Sequence, residues 1–324
     1  MLDGRVQLAA VVINYKTPDL VLQCVSSLLS QLDSENSQVV VVDNCSHDSS
    51  VTTIANWIAG HDDKNIVRLI ESETNVGFSG GNNLGIRAID ADYYLLLNSD
   101  TIVRPDAIAK LLATAESDRQ AGIISPRLEW PDGTPQESCF RYLSPMSEFI
   151  GAARTGPITA ILKRFAIPLP LSDTIVKPQW TSFACVLLRR KMLNKIGLLD
   201  DGFFMYFEDV EFCRRARKAG WEIIHNPKAR VIHLRGGSSP VKKNTLERKR
   251  LPRYYYRSRS RYFYLAYGRL GMTLGNVLWS LGRCVSKCRE LLERRERGFP
   301  EKEWLDIWTN WIHPDYPWHD GRLQ

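Results

Sequence analysis

The sequence lacks the cysteine patterns that staple small secreted domains or bind zinc. Its 324 residues include 7 cysteines, an odd number, and no pair has the spacing of a zinc knuckle or a redox motif. Cys284 and Cys288 are at most neighbours on one face of a helix. The apolar run at residues 8–13 is too short for a signal peptide. We therefore expect reduced cysteines and a cytoplasmic protein.

Acidic residues are scarce toward the C-terminus. Residues 242–298 contain 16 lysines and arginines but only 4 acidic residues, whereas the whole chain carries a net charge of +7. Between residues 253 and 264 the cations alternate with tyrosine and phenylalanine. Such a pattern is typical of segments that bind an anionic membrane surface. We therefore predict that residues 241–324 form a basic, aromatic, mainly helical C-terminal extension with peripheral contact at the cytosolic face of the cell membrane.

Two other interpretations of this extension remain. A nucleic-acid surface would use the same aromatic and basic side chains, although we expect no nucleic-acid partner. A charged helix packed on the preceding domain is the second. A transmembrane helix is excluded because Arg269 and several glycines interrupt the stretch that ends at Gly282. The tryptophan-rich end, residues 304–318, either packs on the catalytic domain or mediates a homo-oligomer.

Apolar, β-branched runs alternate with amphipathic segments over the first 130 residues. Strands are predicted at residues 8–14, 39–42, 66–70, 93–97 and 122–128, and helices at 17–32, 46–58, 82–89 and 105–112. This alternation predicts an α/β domain, residues 1–240, built on a doubly wound, mostly parallel sheet. Ligands bind beyond the carboxyl ends of the strands in such sheets. Further strands are predicted at residues 180–188, 222–225 and 229–233.

Asn98, Ser99 and Asp100 follow the strand at residues 93–97. An aspartate at a strand end can supply one of the oxygen ligands that Mg²⁺ or Mn²⁺ takes beside a diphosphate. The same three residues also make a good turn, which is the structural alternative. Asn14 and Tyr15 end the first strand in a similar way, and we expect them in the same ligand site.

Asp43 ends the second strand and precedes a helix start. A carboxylate at this position can accept a hydrogen bond from N3–H of a pyrimidine base. Ser46 or Asp48 can cap the helix, so we expect the Asp43 carboxylate to be free for a ligand.

Residues 75–85 hold several glycines just before a predicted helix. Backbone N–H groups in such a segment can approach a phosphate, and a helix N-terminus favours the negative charge. No Gly-Lys-Ser/Thr follows, so this is not a Walker loop. We expect Asn75, Gly77, Gly81 and Asn82 to bind a phosphorylated ligand, with a plain surface loop as the alternative.

Glu208 and Asp209 follow a run of aromatic residues and open a helix. A carboxylate in apolar surroundings has a raised pKa and can act as a general base. An acidic first helical turn is the structural alternative. Further along, His233 could bind a metal and Arg235 a phosphate, although a histidine at a strand end is more often structural.

Together and in this order, residues 41–46, 75–85, 97–101, 207–209 and 233–238 resemble glycosyltransferase family 2, whose members have the GT-A fold. The resemblance covers residues 8–240. It implies an inverting transfer from a nucleotide-sugar donor. Asp43 matches the base-binding residue and Asp100 the last position of the metal-binding DxD motif. Asp209 matches the catalytic base, with Glu208 beside it, and His233 matches a metal or diphosphate position.

The resemblance also implies an acceptor side and a branch of the family. Trp180 and residues 182–184, including Phe183, match the acceptor-side strand, and we place Phe204 of the aromatic loop with them. Asn98 replaces the first aspartate of DxD, which predicts weaker metal dependence. Residues 75–78 look most like the rhamnosyltransferase branch, whose donor is dTDP-L-rhamnose.

The predicted acceptor is a glycan or lipid-linked glycan in cell-surface polysaccharide synthesis. A UDP-sugar transferase of the same family is the nearest alternative. A nucleotidyltransferase and a non-catalytic nucleotide-sugar binding protein are the others. The first usually needs a basic glycine-rich loop near the N-terminus, which is missing, and the second would lack a base such as Asp209.

Overall fold

The computed structural model describes residues 5–63, 65–235, 239–294 and 298–316. The strands are β1 (Val6–Asn14), β2 (Ser37–Asp43), β3 (Val67–Glu71), β4 (Ala91–Asn98), β5 (Thr101–Val103), β6 (Ala121–Glu129), β7 (Cys139–Phe140), β8 (Trp180–Thr181), β9 (Cys185–Arg189) and β10 (Glu222–His233). The helices are α1 (Pro18–Leu29), α2 (Ser50–His61), α3 (Gly77–Ala88), α4 (Ala107–Ser117), α5 (Pro145–Ala153), α6 (Gly156–Ile161), α7 (Arg190–Ile196), α8 (Glu208–Lys218), α9 (Val241–Leu246), α10 (Arg253–Glu293) and α11 (Glu303–Asp306).

Eight strands form one mixed, mostly parallel sheet in the order β3-β2-β1-β4-β9-β6-β10-β5. β1 pairs in parallel with β2 and β4, so that Asn14 lies beside Asp43 and Ile13 beside Asn98. The polar residues that end these three strands therefore meet at one edge. β9 and β5 run antiparallel to their neighbours. The predicted α/β class and the mostly parallel sheet are confirmed.

The valine run in β2 is buried on both faces of the sheet. Val39 and Val41 face one apolar layer, which includes α1 and α4, while Val40 and Val42 face the other, which includes α3 and α8. Alternate residues of a strand point to opposite faces, so a continuous apolar run needs a helical layer on each side.

The predicted strand at residues 180–188 is wrong as one element. It is divided into β8, which pairs with β7, and β9, which inserts between β4 and β6. Phe183 lies in the break between them. The two predicted strands after residue 222 are instead the single strand β10, with register shifts against β6.

The glycine-rich segment is a helix rather than the predicted loop. α3 begins at Gly77, five residues before the predicted start. Gly81 faces Ile13, and a Cβ built on Gly85 would collide with the side chain of Val11. These glycines let the helix lie close to β1. Close packing of helix on strand explains the glycine spacing, and a phosphate-binding loop does not.

The C-terminal segment is a helical hairpin packed onto the catalytic sheet domain. Gly268 has non-helical backbone angles (φ 68°, ψ −178°) and divides α10 into a first arm (residues 253–267) and a second arm (residues 269–293). Arg259 donates to the side chain of Asn276 at 2.7 Å, although 17 residues of continuous helix would separate them by about 25 Å. The arms are therefore antiparallel. The second arm also packs on α5, where Gly282 faces the carbonyl of Phe149.

The alternating cations and aromatic rings of the first arm are turned inward, so the prediction that residues 253–264 contact a membrane is wrong. Arg259 and Tyr262 are buried. Arg259 pairs with Glu148 and Arg261 with Asp200. The packed-helix interpretation is the correct one for this segment. The cations of residues 242–250 face outward, and membrane contact stays a prediction for them. Among the described residues, none of the helices combines the length and apolar character needed to span a bilayer.

Gly85→Ala tests the close packing of α3 on β1. We expect the free energy of unfolding to fall by about 1–3 kcal/mol, because the added methyl group overpacks the contact with Val11. Gly60→Ala is the matched control, since a Cβ at Gly60 in α2 meets no atom within 4 Å. It should stabilise the protein by about 0.5–1 kcal/mol. Urea unfolding of both variants measures the difference, and equal changes would contradict the packing argument.

Candidate active site

The first part of the site is a hydrogen-bonded network at the ends of β1 and β2. Asn14 donates to the Asp43 carboxylate at 2.6 Å, and Ser46 donates to it through its backbone N–H at 3.0 Å and its hydroxyl at 2.6 Å. Asn14 and Asp43 are both buried. Both oxygens of the Asp43 carboxylate thus accept hydrogen bonds within the protein, but Oδ2 accepts only one, so ligand binding by Asp43 stays a prediction. Tyr15 follows as a half-exposed ring with Lys16 over it at 5.4 Å.

Asn44 fixes the segment that precedes α3, a role that the sequence analysis missed. Its amide donates to Asn75 Oδ1 and to the Gly77 carbonyl, both at 3.0 Å, and accepts from Val76 N–H at 3.0 Å. Asn75 Oδ1 also accepts from Gly77 N–H at 3.0 Å. The sequence shows Asp43 and Asn44 in succession at the end of a buried strand. The function of Asn44 becomes clear only from its hydrogen-bond partners in the structure.

Two of the N-terminal N–H groups of α3 are engaged within the protein. Asn75 Oδ1 accepts from the N–H of Gly77 at 3.0 Å, and the Phe204 carbonyl accepts from that of Phe78 at 2.6 Å. Asn82 donates to the Phe78 carbonyl at 2.9 Å and is buried. These contacts argue against phosphate binding by Gly77, Gly81 and Asn82, which stays a prediction, because Gly77 and Gly81 make close packing contacts and the Asn82 amide bonds to its own helix.

The second part of the site lies where β4 meets β10. Asp100 is 7% exposed, and its Oδ1 lies 3.4 Å from His233 Nε2. The antiparallel pairing of β5 with β10, which sets Thr101 beside His233, brings these residues together. Ser99 shares a hydrogen bond with Thr17 at 3.2 Å. The two predicted metal ligands, far apart in the sequence, are thus neighbours.

Two polar atoms of these strand ends are buried without a partner. Asn98 Oδ1 and His233 Nδ1, the ring nitrogen that does not face Asp100, have no hydrogen-bond partner within the protein. A divalent cation takes oxygen and imidazole ligands, and Asp100 and His233, with Asn98 two residues before Asp100, supply ligands of these types. No group of three His, Cys, Asp or Glu side chains with metal-binding geometry occurs in the described ranges. Asn98 is an amide, which accounts for the missing third carboxylate.

Two cations lie beside Asp100. Arg235 donates to Gln136 and to the Glu137 carbonyl, and its guanidinium lies 5.4 Å from the centre of the Trp130 ring. Burial and the positive charge of Arg235 lower the pKa of Lys242, whereas Asp100 acts in the opposite direction. Lys242 belongs to the segment that the sequence analysis placed outside the catalytic domain.

The third part of the site is the start of α8. Tyr206 (φ 70°) and Phe207 (φ 68°) both have left-handed backbone angles, which cost about 1–3 kcal/mol each for residues with a side chain. This turn sets Glu208 and Asp209 in the first turn of the helix. Two consecutive strained residues directly before a carboxylate pair indicate a position that packing enforces.

Glu208 and Asp209 have different surroundings. Glu208 is 7% exposed with Oε2 unpartnered, and burial together with the charge of Asp209 raises its pKa well above the ordinary value. Asp209 is half-buried, and burial raises its pKa to about 7 despite the hydrogen bond from Val210 N–H. The helix dipole favours both anions, but burial outweighs it. Asp209 is therefore poised to take up a proton near neutral pH.

The three aromatic residues predicted for the acceptor side have different surroundings. Phe204 is half-buried and lies 5.3 Å from the Tyr254 ring of the first arm. Trp180 stacks on Phe140 at 4.2 Å and donates to the Arg141 carbonyl. Phe183 is 2% exposed and packs in the core against Phe212. The acceptor-side assignment of Phe183 was thus wrong.

Tyr206 is influenced by carboxylates on both sides of the site. Burial raises its pKa to about 12, and the charges of Glu208 and Asp100 add to this shift. Its hydroxyl donates to Ser239 at 2.8 Å. The start of α8 and the Asp100–His233 pair therefore both lie within electrostatic range of Tyr206.

The family profile described as Glycosyl transferase family 2 matches residues 9–162. The chain is also 31% identical over 238 residues to the low-salt glycan biosynthesis hexosyltransferase Agl10 of Haloferax volcanii, covering 72% of this chain and 68% of that protein. The chain belongs to glycosyl transferase family 2. It is a glycosyltransferase of glycan or polysaccharide biosynthesis, as the resemblance in the sequence implied.

Another relative of this family 2 enzyme is the N-acetylglucosaminyl-diphospho-decaprenol L-rhamnosyltransferase of Mycobacterium tuberculosis. It is 29% identical over 193 residues, which cover 53% of this chain and 60% of the relative. The predicted resemblance to the rhamnosyltransferase branch is therefore confirmed, because a rhamnosyltransferase is among the relatives that the chain matches.

Solved structures confirm the GT-A fold. A mannosyltransferase of Pyrobaculum calidifontis, in complex with GDP-Man and Mn²⁺, has a TM-score of 0.53 at 12% identity and covers 96% of this chain and 86% of its own. TarS 1-349 of S. aureus, in complex with UDP, has a TM-score of 0.52 at 15% identity and covers 95% and 80%.

Asp209→Asn is expected to raise thermal stability, because it replaces a buried carboxylate by a neutral amide. The raised pKa means that the folded protein holds a proton which the unfolded chain loses near pH 4. Stability from this group is thus complete below pH 4 and is lost as the pH rises through about 7. The neutral amide avoids that loss, so the gain in melting temperature over the wild type should be larger at pH 8 than at pH 5.

Asp48→Asn is the control for this measurement. Asp48 is exposed and accepts from Ser50 N–H at 2.8 Å, and hydrogen bonds from Ser50 lower its pKa. Its replacement should not stabilise the protein at pH 8. If Asp209→Asn and Asp48→Asn change the melting temperature by the same amount at both pH values, the argument that burial raises the pKa of Asp209 is refuted.

Proposed function

We propose that this enzyme is an inverting glycosyltransferase with Asp209 as the base. The donor is a nucleoside-diphosphate sugar, with dTDP-L-rhamnose ahead of the UDP-sugars, and the acceptor is a glycan or lipid-linked glycan of the cell surface. The observation that carries the proposal is the half-buried Asp209, with a pKa of about 7, in one site with the Asp100–His233 pair. The rhamnosyltransferase relatives of M. tuberculosis and E. coli K12, at 29% and 27% identity, support the donor.

In the proposed reaction the acceptor hydroxyl gives its proton to Asp209 as its oxygen attacks the anomeric carbon. The bond from that carbon to the diphosphate oxygen breaks, its electron pair stays on the diphosphate, and the configuration inverts. Burial and the charge of Asp209 raise the pKa of Glu208 well above its ordinary value, and Asp209 is the more exposed of the two carboxylates. Phe204 and Tyr254 offer apolar ring faces to the acceptor sugar and reduce the access of water.

The diphosphate end of the donor is assigned to the Asp100 side of the site. Asp100 and His233, with Asn98 Oδ1, would hold a Mg²⁺ or Mn²⁺ ion, which offsets negative charge on the leaving diphosphate. Two structural neighbours contain Mn²⁺ together with a nucleotide or nucleotide sugar: the Pyrobaculum mannosyltransferase with GDP-Man, and GalNAc-T7 with UDP and GalNAc. Both support this assignment. Lys242 and Arg235 add positive charge at the same place.

The nucleotide base is assigned to the ends of β1 and β2. Asp43 Oδ2 accepts one hydrogen bond from Ser46 N–H, and a carboxylate oxygen can accept a second, so N3–H of thymine or uracil is a suitable donor. The half-exposed Tyr15 ring offers a stacking face for the base. Asn14 then positions Asp43 rather than contacting the ligand, and Asn44 and Asn75 shape the segment beside it.

Asp209→Asn tests the reaction. Release of nucleoside diphosphate from dTDP-rhamnose should fall by roughly 10²–10⁴-fold, the usual contribution of a general base. Donor binding, read as a rise in melting temperature, should be unchanged. Wild-type turnover should increase with pH through about 7, because the base acts when it is deprotonated.

Other outcomes of this assay distinguish the alternatives. Pyrophosphate as the product would indicate a nucleotidyltransferase. Binding without turnover in the wild type would indicate a nucleotide-sugar binding protein. A stabilising effect of GDP-sugars but not of dTDP- or UDP-sugars would contradict the assignment of Asp43 to a pyrimidine base.

Metal binding can be measured without turnover. Titration of the wild type with Mn²⁺ should raise the melting temperature, and Asp100→Ala should abolish this rise. Asn98→Asp adds a carboxylate to the donor set, and we expect roughly tenfold tighter Mn²⁺ binding, equal to about 1.4 kcal/mol. Asp132→Asn, on an exposed turn, is the control. Full activity in EDTA, together with no response to Mn²⁺, would refute a metal-dependent mechanism.

A further inference from the structure

The second arm of the C-terminal hairpin has one face that is covered within the protein. The buried residues on this face are Met272, Gly275, Asn276, Trp279, Gly282, Ser286 and Glu290. They contact the first arm and α5. This half of the helix surface is therefore covered by other parts of the same chain.

The opposite face carries an apolar stripe in solvent. Its residues are Leu270, Leu274, Val277, Leu281, Cys284, Cys288 and Leu291. Leu270 is 87% exposed and Leu291 is 79% exposed. The next three members of the stripe after Leu270, which are Leu274, Val277 and Leu281, are 43–52% exposed. Both cysteines are exposed and free. We call this set the heptad stripe.

The spacing within the heptad stripe alternates between four and three residues along its whole length. An average of 3.5 residues keeps the side chains facing one partner helix as two helices supercoil. The stripe extends over 22 residues, or about 33 Å of helix. A continuous exposed apolar patch on one domain generally marks an interaction site, and the period of this one fits a helix as the partner.

We propose that the heptad stripe is a homodimer interface, in which the second arm of another copy packs antiparallel to it. A twofold interface needs a surface that is complementary to itself. The stripe is centred between residues 280 and 281, so antiparallel pairing sets Leu270 against Leu291 and Val277 against Cys284 of the other copy. It also brings Arg269, which donates to the carbonyls of Trp311 and Ile312, close to Glu293, which pairs with Arg289, at both ends. Parallel pairing would instead place Arg269 against its own equivalent.

A helix of a second copy fits this surface better than a lipid bilayer. Interfacial helices carry lysine and arginine along the edges of their apolar face, but residues 270–282 contain neither. Beside the second half of the stripe, Lys287 pairs with Glu290 and Arg289 pairs with Glu293, so these cations are offset within the helix. Arg283 pairs with Glu290 at 2.9 Å on the covered side. The small residues Gly271, Thr273 and Ser280 border the heptad stripe and keep its apolar surface narrow, as in the contact between two helices.

Sedimentation equilibrium of the full chain in reducing buffer tests the proposal. The wild type should be a dimer, and Leu281→Glu should raise its dissociation constant by about 100-fold or more, because two carboxylates would be buried at the twofold axis. Position 281 is on the surface of the folded chain, so the variant should keep its melting temperature as a monomer and its donor binding. Ile161→Glu, at an 82% exposed position on α6, is the matched control and should stay dimeric.

Cysteine cross-linking tests the direction of the two helices. Val277→Cys in a Cys288→Ser background should form a disulfide-linked dimer under mild oxidation, because Cys284 of the other copy lies opposite. Adding Cys284→Ser should remove the cross-link. A cross-link that persists without Cys284 would overturn the antiparallel arrangement.

Three results would overturn the dimer. The first is a wild type that is monomeric at all concentrations, and the second is a dimer that Leu281→Glu leaves intact. The third is a monomer that binds phosphatidylcholine–phosphatidylglycerol vesicles through the heptad stripe. The last result would identify lipid as the occupant. Glycosyl transfer is measured separately, so these results do not depend on the proposed function.

Discussion

The backbone contact between Phe204 and the start of α3 holds the two halves of the active site together. The Phe204 carbonyl accepts from Phe78 N–H at 2.6 Å and lies against Gly77, where a Cβ would collide with it. Gly77 also has a positive φ of 73°, which glycine adopts without strain. The same loop is fixed at Leu199, whose backbone exchanges two hydrogen bonds with the Asn83 amide. The position of Asp209 relative to the strand ends therefore depends on α3.

The first arm of the hairpin holds the same loop from the other side. Arg261 bonds to Asp200, and Ser258 donates to the Met205 carbonyl at 3.0 Å. Buried ion pairs contribute little net stability, because desolvation offsets their attraction, but losing one partner is costly. Such pairs specify where the arm docks. The strained turn at Tyr206 and Phe207 is thus enclosed between α3 and the arm, which explains how its backbone cost is sustained.

The strand framework could be predicted because its signals are local. The valine run of β2 and the polar residues after β1, β2 and β4 predicted which residues meet at the sheet edge, and Asp100 and His233 do lie together. The rest depended on partners far away in the sequence. The arginines of the first arm resembled surface cations because Glu148 and Asp200 are distant. The glycines of α3 resembled a loop because their reason for being small, the approach to β1, is a tertiary contact.

The cover over Phe203 and Phe207 has a consequence for the order of folding. Both side chains are buried in a cluster with Tyr262 and Phe263 of the first arm, about 60 residues later in the chain. At a synthesis rate of 5–20 residues per second, roughly 3–12 s pass between the appearance of these two segments. During this interval the sheet can form before the first arm covers the loop that holds Phe203 and Phe207. The surroundings of Asp209, the proposed base, are therefore completed late in biosynthesis, by a segment that lies outside the region matched by the family profile.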